Sequence, residues 1–238
     1  MQLSKLDSVM CKHEKVLGGG EGIEGVYGSL TSACMADVFG DWPGFGSNSI
    51  LLDVGCGIGR PQVQALCTHG VSHSVGVEID IVKCDKAVPF IQRAAQELGL
   101  DASCIKILHT GGTSGELTTL EPCTHLYLCW QGWSDIHKAQ MGALVAQSAS
   151  VFCVCMVQHR FSDDQPAGWP ELQLVNSRPV RTVGGGETLH ARTFVVAGRS
   201  QEPASMAQAA SGGLLSEKGH VPEVGRTTRG AAKKGCKL

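Results

Sequence analysis

Apolar residues along this chain fall into short, near-continuous runs separated by stretches with helical spacing. That alternation predicts strands buried on both faces of a parallel sheet, with helices packed over them. Ser49–Val54, His73–Glu78, Cys104–Leu108, His125–Cys129 and Val151–Val157 read as five strands. A helix opened by Pro61, a longer one over Ile81–Leu98 stopped by Gly99, and another over Ser134–Ala146 supply the crossovers. A further helical stretch, Thr31–Val38, precedes the first strand. The last two runs, Leu172–Val183 and Leu189–Val196, have no helix between them and meet through Gly184, Gly185 and Gly186, which predicts an antiparallel hairpin. The expected fold is α/β: a doubly wound, mostly parallel seven-stranded sheet with a terminal antiparallel hairpin.

The flanks carry less apolar pattern. Residues 1–27 are polar and glycine-rich, notably around Gly18–Gly22, and read as an N-terminal arm leading into a domain over 28–198. Residues 199–238 lack apolar periodicity and read as a disordered tail with a basic end, Arg226 to Lys237. With 238 residues, 42% hydrophobic and 18% charged, the chain has the make-up of one soluble domain with appendages. A net charge of −2 gives no global drive toward nucleic acid or anionic membrane, so any nucleic-acid contact is expected to be weak and local to the basic tail, which otherwise is simply solvated. No signal peptide or membrane-length apolar run is evident, and no membrane partner is expected. Eleven cysteines without a C-x-x-C pair indicate core thiols in a reducing compartment. Cys153 and Cys155 share a strand face but lack the further ligands of a metal site, and no metal is expected. Nucleus or cytoplasm is the expected location, with the peroxisome as an alternative because the terminal Cys-Lys-Leu is similar to the Ser-Lys-Leu address.

Chemistry concentrates where the first strand turns into its helix, at Asp53-Val54-Gly55-Cys56-Gly57-Ile58-Gly59. Glycines at alternate positions let backbone N–H groups approach a ligand, and the following helix N-terminus adds partial positive charge. The spacing departs from the dinucleotide fingerprint G-x-G-x-x-G, whose third glycine would fall at Arg60. The next strand ends in Glu78, a carboxylate suited to a bidentate grip on ribose hydroxyls.

The pattern D-x-G-x-G-x-G resembles the first motif of the S-adenosylmethionine-dependent methyltransferases, and the expected strand plan resembles their Rossmann-like seven-stranded sheet. Val26-Tyr27-Gly28, then a helix, then Leu51–Arg60, then Gly76-Val77-Glu78 further resembles the disruptor-of-telomeric-silencing (non-SET) histone lysine methyltransferases, in element order over roughly residues 26–197. The resemblance implies S-adenosyl-L-methionine as cofactor and a protein substrate such as nucleosomal histone. It implies that Tyr27 and Thr31 close over the methionine part, that Asp53, Gly55, Gly57 and Gly59 shape its pocket, and that Glu78 takes the ribose. His109 and Thr110 then fall near the adenine, although a surface loop position is the other reading of His109. The chain departs from the family at Ser29, where glutamate is usual, at Arg60, where glutamine is usual, and at His109–Gly112 and Trp130–Trp133, which replace the family's motifs after the third and fourth strands.

Methyl transfer from a sulfonium needs alignment more than acid–base help. A lysine acceptor must be neutral, yet free lysine has a pKa of about 10.4, so an apolar or aromatic channel is required. Tyr27 from the loop, with Trp130 and Trp133 at the carboxyl end of the fourth strand, are the residues expected to act at the methyl-transfer site, while core packing is the other reading of the two tryptophans. The altered substrate loop leaves RNA or a small molecule as alternative acceptors, and Ser29 leaves open a cofactor-binding module without transfer activity.

Overall fold

The central strands take their places because each is an apolar run short enough to be buried on both faces, whereas those at the two edges of the sheet are partly exposed. The computed structural model describes residues 3–17, 29–112, 116–159, 168–183 and 188–200. Strands β1 (Ile50–Val54), β2 (His73–Glu78), β3 (Ile105–His109), β4 (His125–Cys129) and β5 (Cys153–Gln158) are parallel. Strands β6 (Leu172–Arg181) and β7 (Thr188–Val196) form the terminal antiparallel pair, with β7 inserted between β5 and β6. The resulting order, β3-β2-β1-β4-β5-β7-β6, agrees with the seven-stranded plan expected from the pattern. The chain winds outward from β1 to β3 and then resumes on the other side at β4, so the crevice for a ligand lies at the carboxyl ends of β1 and β4.

The helices are α1 (Leu3–Leu17), α2 (Ser32–Gly40), α3 (Arg60–His69), α4 (Ile81–Leu98) and α5 (Asp135–Gln147). Helix α4 shows why these segments fold locally. Asp80 caps its first turn by accepting from the Val82 amide, Gly99 ends it in the left-handed region, and one face buries Ala87, Phe90, Ile91 and Ala94.

Both sheet faces are covered, but unequally. Alternation along β1 sends Leu51 toward α2 and α3, and Leu52 and Val54 to the opposite core. The first face carries four helices, in two clusters around Phe39 and Trp42 and around Phe90 and Met10. The other face carries α5 together with Leu117, Leu120, Cys123 and Trp169 from connecting segments. Near the amino end of β4, His125 is fully buried, lies parallel to the Trp42 ring at 5.6 Å and meets the Pro43 carbonyl through Nε2. Burial pulls its pKa down to about 4, against the raising effect of that carbonyl.

The segment expected as a polar arm contains α1, a packed helix. Leu6, Val9 and Met10 are buried against α4, while Lys12 and His13 both reach Glu97 of α4. Leu3, Leu6, Val9, Met10, Val16 and Leu17 lie at helical spacing, but the charges among them and the glycine run after them favoured the reading as an arm, and the partners that stabilise the helix lie far along the chain. The remainder of that arm, 18–28, and the tail, 201–238, fall outside the described residues, as does the Gly184–Gly186 turn.

Candidate functional site

The turn from β1 into α3 is fixed by backbone. Gly55, Gly57 and Gly59 have φ of 87°, 57° and 89°. Only glycine adopts such angles without strain, and at Gly59 a Cβ would also stand 2.9 Å from Ile91 Cδ1. The Gly55 and Cys56 amides both donate to the Val77 carbonyl, at 2.8 and 3.0 Å, which fastens the turn to β2. Gly76 serves the same seam, because a Cβ there would lie 2.5 Å from Cys56 Sγ. The glycine of Gly-Val-Glu is thus a packing requirement.

Glu78, at the end of β2, is buried and held from both sides. Its Oε2 accepts from the Gly57 amide at 2.8 Å, and its Oε1 from the Asp80 amide at 2.9 Å. Each oxygen keeps a lone pair for a further donor, as a hydroxyl-binding carboxylate requires. Beside it, Ile79 is 66% exposed, with Ile81 and Val82 also exposed. The motif reading missed this exposed apolar edge next to the acid, and the signal available was the apolar run interrupted only by Asp80.

Asp53 lies beneath the turn, 1% exposed, and its Oδ2 accepts from Gln62 Nε2 at 3.0 Å. Desolvation pushes its carboxyl up to about 7; the Gln62 hydrogen bond opposes the shift and the nearby Glu78 charge adds to it. Among the described residues, Asp53 Oδ1 and Gln62 Oε1 are buried with no donor. Two orphaned acceptors call for a donor-only ligand group such as an ammonium. The residues around the turn therefore fit an amino-acid end at Asp53 and a ribose end at Glu78, as S-adenosylmethionine requires.

Arg60, which follows the turn, is 3% exposed yet does not face the pocket unpaired. Its guanidinium donates to Glu14 at 2.5 Å and lies 3.5 Å from Asp7, both on α1. Asp7 also accepts from Ser32 Oγ of α2 at 2.6 Å, so α1 joins the starts of α2 and α3.

Other expected site residues are placed as follows. Thr31 caps α2, its hydroxyl accepting from the Cys34 amide, and its own amide donates to the Arg181 carbonyl of β6. His109 meets the Ile79 carbonyl through Nε2 at 3.1 Å, and the Thr110 amide donates to the Glu78 carbonyl. Both therefore border the Glu78 side of the crevice. Thr110 Oγ1 also donates to Glu116 Oε2 at 2.5 Å. Glu116 brings an acid to this rim that the sequence around His109 lacks, and no motif marks it. Tyr27 lies outside the described residues.

The two tryptophans separate. Trp130 is 1% exposed and belongs to the main core, edge-on to Trp169 at 5.5 Å, so it is not a channel wall. The segment after β4 turns inward because Trp130 fills the space over α5, where Lys138 Nζ stands 5.4 Å from its ring centre. Trp133 is half-buried at the edge of the same cluster. Gln131, between them, accepts from the His159 amide at 2.9 Å and so ties the β4 loop to the end of β5.

A family model for histone methylation protein DOT1 matches residues 8–104, from α1 to the turn before β3. A search of curated protein sequences returns no match. Among solved structures, Streptococcus pneumoniae Sp1610, a candidate tRNA methyltransferase, is similar with a TM-score of 0.50 at 15% identity, covering 77% of this chain and 75% of that one. An RNA methyltransferase from Salinibacter ruber in complex with S-adenosyl-L-homocysteine gives 0.47 at 17% identity, over 75% of this chain and 99% of that one. TrmK from M. capricolum, also with S-adenosylhomocysteine, gives 0.49 at 6% identity, over 74% and 73%. This chain has the Rossmann-like fold of the class I S-adenosylmethionine-dependent methyltransferases.

Proposed function

We propose that this chain transfers a methyl group from S-adenosylmethionine to a protein lysine, with nucleosomal histone as the first substrate to test. The observation that carries the cofactor assignment is Glu78, buried and clamped between the Gly57 and Asp80 amides at the mouth of a three-glycine turn. When bound, the cofactor supplies an electrophilic methyl group on a sulfonium. Glu78 holds ribose hydroxyls, Asp53 with Gln62 holds the amino-acid end, and Ile79 offers an apolar surface beside the ribose. Alignment of an incoming neutral amine supplies most of the rate enhancement, and that amine sheds its proton to solvent after transfer.

The lysine reading is supported by the DOT1 model match over residues 8–104 and by the Tyr27-Gly28 loop sequence. A second reading, methylation of RNA, is favoured by the burial of Trp130, which leaves Trp133 as the remaining tryptophan beside β4 able to line an amine channel. Labelled S-adenosylmethionine offered with nucleosomes, free histones and total RNA in separate reactions distinguishes them. Label in histone lysine supports the first reading, and label in RNA alone replaces it with the second. Cofactor binding with no transfer to any pool identifies a binding module instead.

A further inference from the structure

Gln62 is fully buried in the first turns of α3, where a polar side chain needs a reason. Its amide group donates to Asp53 Oδ2 at 3.0 Å, and its own Oε1 and Asp53 Oδ1 remain without a donor among the described residues. Leaving two buried acceptors unmatched is costly. The neighbouring cation cannot relieve them: Arg60 is committed to Glu14 and Asp7 of α1.

Building on the proposed function, we infer that Gln62 is a positioning residue for the cationic amino-acid end of the cofactor. By holding Oδ2, it makes the Asp53 carboxylate easier to ionise and turns it so that Oδ1 meets the ligand's ammonium group.

The charge environment favours this division of labour. Facing Asp53 are Glu78 from β2, Cys56 from the glycine turn, and Tyr127 and Cys129 from β4, with Gln62 from α3. None of these supplies positive charge, so the empty site draws a proton onto Asp53 and a bound cation expels it. Gln62 is the neighbour whose hydrogen bond opposes protonation. Cofactor binding is thereby coupled to release of one proton, and Gln62 sets the pH at which the coupling disappears.

Calorimetric titration of S-adenosylmethionine into the full chain, from pH 6 to 9 in two buffers of different ionisation enthalpy, reads both affinity and protons released. Wild type is expected to release a proton at pH 6 and to take one up at pH 9, where the free ligand's α-amino group has lost its own (pKa about 8), so affinity peaks between the two limbs. In Gln62→Met the acid limb of that profile moves up by about one pH unit, so affinity at pH 7 falls about fivefold while the alkaline limb stays in place. Uniformly weaker binding at every pH marks a packing role and overturns the inference, as does an unchanged profile. The wild-type measurement stands without the variant: pH-independent binding overturns this inference alone, whereas no binding at all overturns the proposed function as well.

Discussion

The half of the molecule built on β1, β2 and β3 and the half built on β4 to β7 solve different problems with different materials. In the first, backbone does most of the work: three left-handed glycines, amides donated to Val77 and Glu78, and a Gly76 that leaves no room for a side chain. In the second, side chains after the strands carry more of the structure: Trp130 fills the core over α5, and Gln131 ties the β4 loop to the end of β5 through the His159 amide. The DOT1 model match runs through the first half and stops at Cys104, before β3. The glycine turn beside Glu78 is held by backbone geometry, whereas the segment after β4 is held by side chains.

The sharpest way to test this division is to cut into each half. Trp130→Ala should lower global stability by about 3–5 kcal/mol in chemical denaturation, because it empties a large core site. A small loss would return Trp130 to the substrate wall. The halves should also answer pH with opposite sign. Asp53 has a raised pKa, so the folded state holds a proton that the unfolded state has lost, and stability falls as pH rises from about 4 to about 7. His125 has a lowered pKa, so stability falls as pH drops from about 6.5 toward 4. Asp53→Asn should therefore stabilise the empty protein at pH 8, by on the order of 2–4 kcal/mol, while weakening cofactor binding. His125→Gln should flatten the acid limb of the stability profile, and a persisting limb would assign it to other groups.

Glu78→Ala should cost on the order of 1.5–3 kcal/mol of S-adenosylmethionine affinity by calorimetry, because charged hydrogen bonds to the ligand are lost. Unchanged affinity would remove the ribose assignment. The smallest change in stability belongs to Trp133→Ala, expected to leave cofactor affinity within about twofold and melting nearly unmoved while transfer to the acceptor drops. Equal losses in binding and transfer would erase the boundary between the halves.

Strand order and crossovers were legible because apolar runs and glycine stops are local signals, and the hairpin was legible from the missing helix between its strands. The glycine turn and Glu78 were legible because their chemistry demands residue types at fixed spacing. Gln62 and Glu116 were not, since their meaning comes from Asp53 and Thr110, which only folding brings near. Trp130 carried the same sequence signal as Trp133, and burial alone separates them. Helix α1 was hidden because charges interrupt its apolar stripe and its seat is made by residues more than a strand and two helices away.

That seat has a consequence for the order in which the chain is made. Helix α1 is made before α3 and α4, so Leu6, Val9 and Met10 lack the seat they pack on until α4 has followed, as far as Leu98. A lone helix of 15 residues is marginal in water, so this segment waits, and Arg60 emerges before its two acids are in position. The cofactor turn is thus finished by a helix made before it, and that helix finds its place only after the turn and α4 have been made.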